Sequence, residues 1–238
     1  MKQAKFLTAE WKNLVMANYE VEPSLLHDFV PHGTELDYFN SKCYVSLVGF
    51  MFLDTKILAV HIPFHVNFEE VNLRFYVKYK DDNEWKRGVT FIKEIVPKFF
   101  IELVANNLYS ENYDSMPMRN ELNISGDYIK VGYFWKPKED EYYFKASAEK
   151  NSFLASEGSE EEFITEHYWG YTKVSDSKTS EYEVEHPKWN LHNINDFEIN
   201  CDFGKLYGAR FSFLNNLKPS SIFLAEGSEV IVCKGKNI

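Results

Sequence analysis

The second half of the chain is a succession of short strand-like segments separated by polar or Gly/Pro turns. Four of these segments are DYIKVGYFW (127–135), DEYYFKASAE (140–149), SEYEVEHPKW (180–189) and DFEINCDF (196–203). Closely spaced antiparallel strands leave exposed edges unless their sheet closes or two sheets stack. We therefore predict a mainly β (α+β) fold in one domain over residues 1–238, a curved, barrel-like antiparallel sheet with one or two short helices.

One stretch between the strands has a helical period instead. In VPKFFIELVANNLYSENY (96–113) the apolar residues recur every three or four positions, and Pro97 suits the first turn of a helix. We predict a helix over residues 97–109, with a shorter one that begins at Pro23.

The segment FEEVNLRFYVK (68–78) alternates between apolar and polar residues, as expected of a strand. Its apolar face consists of Val71, Leu73, Phe75 and Val77. Its polar face consists of Glu70, Asn72, Arg74, Tyr76 and Lys78. Alternation alone favours a solvent-exposed polar face, and the alternative is a face that points into a cavity. In that alternative Arg74 could bind a carboxylate through its planar fork of donors.

A second candidate segment is FITEHYWGYT (163–172), which we interpret as a strand that places His167 and Tyr171 on one face. His167 could act as an acid or base, or could donate a hydrogen bond to a ligand. The alternative is a packed strand in which the histidine makes its hydrogen bonds within the protein and has no function in binding or catalysis. The candidate ligand-binding residues are Glu70, Asn72, Arg74, Tyr76, His167 and Tyr171, and the candidates for catalysis are Glu70 and His167.

Metal and cofactor signatures are missing from the sequence. His61 and His65 are four residues apart, but Pro63 between them is incompatible with an ordinary helix. The sequence also has no P-loop, no G-x-G-x-x-G after a strand and no G-x-S-x-G. We therefore expect neither a metal nor a cofactor.

The charge balance restricts the class of partner. A formal net charge of −10 argues against nucleic acid and against an anionic membrane surface. Cys43, Cys201 and Cys233 are widely spaced and form no CxxC pair, as expected of buried thiols in a reducing compartment. With no secretion signal and no long apolar run, we expect a cytoplasmic protein. The sequence is compatible with a homo-oligomer but does not predict one.

Six motifs, in this order along the chain, resemble the DUF2071, or YqjF-like, family of uncharacterised bacterial proteins. They are VSLVGFMFLDTKIL, NFEEVNLRFYVK, RGVTFIKEIVP, EHYWGYT, HPKW and FLAEGSEV. The resemblance implies a fold related to that of the acetoacetate decarboxylases, which form a closed, cone-like β-barrel. Those enzymes use a lysine as a Schiff base, and its pKa is lowered by a neighbouring cation and an apolar pocket.

Two segments of this sequence resemble active-site segments of the decarboxylases. Glu70 best matches their pocket glutamate, which reverses the preference above and favours an inward-pointing polar face. Asn106 and Asn107 stand where those enzymes have a lysine pair, and asparagine cannot form an imine. Decarboxylation through a Schiff base is therefore disfavoured.

Three functions remain open at this stage. The first is binding of a small carboxylate or carbonyl compound in the interior, without Schiff-base chemistry. The second is an enzyme of altered acid/base chemistry, of the lyase or hydrolase type, on a small acidic substrate. The third is a non-catalytic structural or interaction protein. Whether the chain is an enzyme stays uncertain from its sequence.

Overall fold

The strands form because most segments are rich in aromatic and β-branched residues and are separated by short turns. A computed structural model describes residues 4–97 and 112–238. The strands in those ranges are β1 (Lys5–Val21), β2 (Thr34–Leu36), β3 (Cys43–Ile57), β4 (Val60–His61), β5 (Phe68–Asp81), β6 (Glu84–Val96), β7 (Tyr113–Ser115), β8 (Met118–Ser125), β9 (Tyr128–Trp135), β10 (Tyr142–Leu154), β11 (Trp169–Ser175), β12 (Lys178–Glu185), β13 (Asn190–Asn200), β14 (Ser221–Cys233) and β15 (Lys236–Asn237).

Helical structure within the described ranges is short. The α-helices are Glu160–Thr165 and Phe203–Tyr207, and the 3-10 helices are Pro23–Leu25, His27–Phe29 and Ala209–Asn215. The mainly β class predicted from the sequence is thus confirmed. The helix predicted over residues 97–109 lies outside the described residues, except for its first residue, Pro97. No helix in residues 4–97 and 112–238 is long and apolar enough to cross a membrane.

The strands form one sheet that returns on itself. Its order runs β12-β11-β6-β5-β3-β1-β14, and a further pairing joins β14 back to β12 through Val184 with Val232 and Glu185 with Ile231. From β14 the sheet continues through β13, β10 and β9 to β8. The prediction of a closed antiparallel barrel needs refinement, because the sheet is ring-like and β6 pairs in parallel with both β11 and β7.

The ring gives its central strands two buried faces. On β5 the residues Val71, Leu73, Phe75 and Val77 belong to a core outside the ring, which includes Phe144 of β10 and Tyr133 of β9. A second core fills part of the ring interior, with Met16, Phe50, Phe52, Phe68 and Trp189 among its members. Glu70, Asn72 and Arg74 of the polar face of β5 therefore point into the interior of the ring. Lys78, at the end of this face, is partly exposed and pairs with Glu35 at 3.1 Å.

Bulges in β1 and β3 change which side chains point inward along these strands. The pairing between the two strands shifts at Asn13 and at Asp54, whose φ angles are 55° and 50°. Asn and Asp adopt this left-handed conformation more readily than most residues. Each bulge inserts one residue, so that the next side chain turns inward instead of outward.

The segment predicted as one strand over residues 163–172 is divided in the structure. Its first part is the helix Glu160–Thr165, and its second part is β11. The Ser159 side chain accepts a hydrogen bond from the Glu162 N–H, and Glu162 Oε2 accepts one from the Gly158 N–H. These bonds cap the first turn of a helix, which explains why the strand prediction was wrong at this point.

Replacement of Phe75 by Ala should lower the free energy of unfolding by about 3–5 kcal/mol, because Phe75 is fully buried and its removal leaves a cavity. Urea denaturation measures the effect. The matched control is Phe64→Ala, since Phe64 is 88% exposed and its replacement should change stability by less than about 0.5 kcal/mol. Equal effects of the two substitutions would contradict the assignment of β5 to two buried faces.

Candidate functional site

The interior of the ring contains a cavity of about 150 Å³. That volume is roughly ten times the 10–15 Å³ that one water molecule needs. Most of its wall is apolar and aromatic, with Trp11, Phe50, Phe52, Phe68, Phe91 and Trp189. The ring of Trp11 lies edge-on to Phe50 and Phe52, at centroid distances of 5.3 and 5.7 Å. Such walls are typical of small-molecule sites that have a few convergent polar groups.

A polar stripe crosses this apolar wall and consists of Glu70, Asn72, Arg74, Glu94 and Tyr113. Asn72 Nδ2 donates to Glu70 Oε1 at 2.9 Å, and the Tyr113 hydroxyl donates to Glu70 Oε2 at 3.2 Å. Glu70 and Glu94 are each only 2% exposed. The stripe therefore holds two buried carboxyl groups, and hydrogen bonds fix the position of the first.

Arg74 is the cationic member of the stripe and is 9% exposed. Its Nη2 donates to the Ile164 carbonyl at 3.3 Å and lies 3.9 Å from Met16 Sδ. Its Nε has no hydrogen-bond partner, and the described residues supply no carboxylate that pairs with this guanidinium. A buried guanidinium with spare donors is suited to receive an anion.

Glu94 reaches the stripe because of a bulge in β6, and the sequence analysis did not identify it. Phe91 pairs with Arg74, but the next pair along the strands is Lys93 with Leu73, so that Ile92 is the extra residue. Without this bulge Lys93 would stand opposite Asn72 on the inward face. With it, Glu94 takes that position, and Lys93 pairs instead with Asp114 at 2.7 Å. A hairpin predicted without a bulge would place Lys93, and not Glu94, on the cavity wall.

His167 lies at the cavity wall between aromatic rings, 4.7 Å from the Tyr76 centroid and 5.5 Å from that of Phe163. Burial lowers the pKa of His167 to about 4, although contact with the Asp37 carboxylate acts in the opposite direction. The His167 Nε2 to Asp37 Oδ2 distance is 3.8 Å, which is longer than a hydrogen bond. Arg87 Nε donates to the same Asp37 oxygen at 2.6 Å. His167 is therefore a neutral imidazole at pH 7.

The candidates from the sequence divide into two groups. Glu70, Asn72, Arg74 and His167 line the cavity. Tyr76 is buried on the same side of β5, but it does not line the cavity, and its hydroxyl lies 2.6 Å from Ser46 Oγ. Tyr171 belongs to the core outside the ring, and its hydroxyl donates to the Lys86 carbonyl. Because His167 precedes β11, it does not share a strand face with Tyr171. Whether any of these residues binds a ligand stays a prediction.

One group of possible metal donors lies away from the cavity. Oxygens of Glu183 and Glu185 and the sulfur of Cys233 lie within 4.8 Å of one another. Val184 and Val232, which alternate with them along β12 and β14, line the cavity. The three donors therefore project from the opposite face, and all three cysteines of the chain are free thiols.

The buried His167 should make stability depend on pH. The unfolded chain binds a proton near pH 6.5 and the folded chain only near pH 4. Between these values the unfolded state holds more protons, so the free energy of unfolding should fall as the pH falls, by up to about 1.4 kcal/mol per pH unit. Urea denaturation of the His167→Gln variant over this range should give a flatter profile than the native chain gives. Parallel profiles would contradict a buried neutral His167.

Known proteins resemble this chain over most of its length. Residues 8–229 match the model of the family DUF2071, described as an uncharacterized conserved protein. The chain is 32% identical over 188 residues to the uncharacterized protein YqjF of Bacillus subtilis (strain 168), covering 77% of this chain and 74% of that protein.

Solved structures share the fold at much lower identity. Acetoacetate decarboxylase from Legionella pneumophila superposes with a TM-score of 0.66 at 12% identity, over 99% of this chain and 88% of that one. The enduracididine biosynthesis enzyme MppR gives a TM-score of 0.69 at 10% identity, over 100% and 89%. An acetoacetate decarboxylase-like enzyme from Sphingomonas wittichii RW1 gives 0.67 at 9% identity, over 100% and 94%. The acetoacetate-decarboxylase-like fold predicted from the sequence is confirmed, and the chain belongs to the DUF2071 family.

Proposed function

We propose that this protein binds a small carboxylate or carbonyl compound in the interior cavity, with Arg74 receiving the carboxylate. The observation that carries the proposal is the buried Arg74 guanidinium, which has an unpartnered Nε and no carboxylate partner among the described residues. The remaining wall contributes apolar surface for the rest of the ligand.

The buried charge of Arg74 reduces the stability of the unliganded chain. A buried ion that lacks a counter-ion costs several kcal/mol, because the low-dielectric interior replaces water poorly. An anionic ligand would supply the missing charge and accept from the spare donors of the guanidinium.

A structural neighbour supports the same class of ligand. MppR has been solved in complex with pyruvate, and that structure superposes on this chain with a TM-score of 0.66 at 11% identity. Similarity at this level shows a shared fold, so it supports the ligand class only by analogy.

The proposal does not include an imine. The described residues place no lysine on the cavity wall, and Lys93 is held outside by Asp114. Asn106 and Asn107, at the positions that resemble the lysine pair of the decarboxylases, lie outside the described residues.

Replacement of Arg74 by Met should abolish stabilisation by ligand, because Met keeps an apolar chain of similar length without the charge. The measurement is the melting temperature with acetate, pyruvate, acetoacetate and phenylpyruvate. A ligand that binds the native chain, present at about 100 times its Kd, should add about 2.7 kcal/mol of stability. The matched control is Arg119→Met, because Arg119 lies on the exposed strand β8 and pairs with Glu121 and Glu141.

The control variant should respond like the native chain. A ligand that stabilises the native chain and Arg74→Met equally would contradict the role of Arg74. No stabilisation by any compound of the panel would count against the proposal and favour the third function, a structural or interaction protein.

A second candidate function is acid/base catalysis on an acidic carbonyl substrate, with Glu70 as the base. The observation that favours it is the fixed position of the Glu70 carboxyl, which accepts hydrogen bonds from Asn72 and Tyr113 within the cavity. A base held in this way beside a bound oxo acid could remove a proton from the carbon next to the carbonyl.

This second function predicts deuterium exchange into the methyl group of pyruvate, followed by NMR in heavy water. Glu70→Gln should slow the exchange by about 10²–10⁴-fold, the usual contribution of a general base. Glu69→Gln is the matched control, since Glu69 is on the other face of β5 and accepts from Asn120. Failure of the native chain to accelerate the exchange would remove this candidate without affecting the binding proposal.

A further inference from the structure

Two polar atoms in the aromatic part of the cavity wall have no hydrogen-bond partner. Trp11 Nε1 and Thr55 Oγ1 are both buried, and neither finds a donor or acceptor in the described part of the chain. Both residues line the cavity, and Thr55 is only 4% exposed. Buried polar atoms in folded proteins nearly always have a partner, so this pair requires an explanation.

The backbone directs Thr55 to this position. Phe50 and Phe52 face the cavity from β3, and simple alternation would bring Asp54 inward next. The bulge at Asp54 turns Thr55 inward in its place. Asp54 stays on the exposed side, where it pairs with Lys56 and His61, each at 2.7 Å. The bulge thus exchanges a carboxylate for a neutral hydroxyl at this point of the wall.

Trp11 stands on the neighbouring strand, opposite Phe52. Glu70 of the polar stripe stands opposite Phe50. The bulged residue adds no length along the neighbouring strand, so Thr55 lies level with Ala9 of β1. Trp11 is therefore about 7 Å and Thr55 about 13 Å further along the strands than Glu70, at about 3.3 Å per residue. The surface in between is aromatic, with Phe50, Phe52 and Phe68. Polar groups thus occupy two separate places along a cavity whose wall between them is apolar.

The chemistry of the two atoms defines what they can bind. The indole N–H only donates, whereas a threonine hydroxyl can donate or accept. Neither group carries charge, and Phe52 separates them from the charged stripe. They are suited to a neutral oxygen, a hydroxyl or a carbonyl, and not to a second carboxylate.

We infer that Trp11 and Thr55 form a second polar subsite beyond Phe52, where each side chain can make a hydrogen bond to a neutral oxygen in the far part of the ligand. The inference rests on the proposed function and makes it more specific. The ligand is an elongated carboxylic acid with an apolar chain, a carboxylate at Arg74 and a hydroxyl or carbonyl at Trp11 and Thr55. A cavity with space for roughly ten water-sized groups fits a chain of about that many atoms.

Calorimetric titration with matched pairs of acids tests the subsite. The pairs are octanoate, decanoate and dodecanoate, each with its ω-hydroxy derivative. For the chain length that fits the cavity, the native protein should bind the hydroxy acid about 5–10-fold more tightly, because one buried hydrogen bond is gained.

Three variants assign that preference to the subsite. Thr55→Val and Trp11→Phe should each reduce the ratio of the two affinities below that of the native chain, because each removes one polar atom of the subsite. Thr8→Val is the matched control, since Thr8 does not line the cavity, and it should keep the full preference. Thr55→Val is nearly isosteric and removes a hydroxyl without a partner, so its melting temperature should not fall.

The outcomes distinguish this inference from the proposed function. If Arg74→Met abolishes binding of both acids of a pair, but the native chain shows no preference at any length, the subsite is overturned and the carboxylate proposal stands. A preference that survives in both Thr55→Val and Trp11→Phe also overturns the subsite. If no acid of any pair binds, the elongated ligand is excluded, and the panel of small carboxylates decides the proposed function by itself.

Discussion

The closure of the ring between β12 and β14 is the constraint on which the interior depends. Within the described part of the chain, β12 pairs with β14 through Val184 with Val232 and Glu185 with Ile231, and with β15 through Ser180 with Asn237 and Glu181 with Lys236. Without these pairs the inward face of β5 would be open to solvent, and its polar residues would form an ordinary solvent-exposed strand face. With the ring closed, the same residues lie in a low-dielectric space, where each polar group needs a partner. Val184 and Val232 themselves line the cavity, so the residues that close the ring also form part of the cavity wall.

The sequence predicted the elements better than their register. Strict alternation in β5 identified its two faces correctly, because β5 keeps an unbroken pairing with β3 from Phe52–Phe68 to Val45–Phe75. Alternation gives no warning of a bulge, since one inserted residue reverses every later side chain. Glu94 and Thr55 both reach the cavity only through bulges. The alternation of polar and apolar residues alone therefore could not place Glu94 and Thr55 on the cavity wall.

The errors around residues 160–171 have a different physical cause. The apolar spacing of this segment fits a strand, but Ser159 and Glu162 have the spacing of a helix cap. This local signal was present in the sequence, and it decides the structure as far as Thr165. As a result His167 reaches the cavity from a connection between helix and strand, and Tyr171 packs outside the ring. The shared strand face on which these two residues were paired does not exist.

Electrostatics inside the ring separates the groups that the protein satisfies from those that it leaves open. Glu70 accepts hydrogen bonds from Asn72 and Tyr113. Burial leaves His167 uncharged, but neither of its ring nitrogens has a hydrogen-bond partner among the described residues. The Arg74 guanidinium has no carboxylate partner among the described residues, and its Nε has no acceptor there. Its spare donor therefore remains a cost to the unliganded chain, unless a water or a ligand accepts from it.

Unsatisfied groups in a protein interior reduce stability, so their positions carry information about function. On the cavity wall these groups include the Nε atoms of Arg74 and Trp11 and the hydroxyl of Thr55. A wall optimised only for stability would replace the neutral pair with apolar side chains of similar shape, which is often neutral or stabilising. The solved structures of this fold share only 9–12% of their residues with this chain, so its chemistry has to be argued from these side chains. Their unmet hydrogen bonds favour an interior that is completed by a bound molecule over one that serves as a filled core.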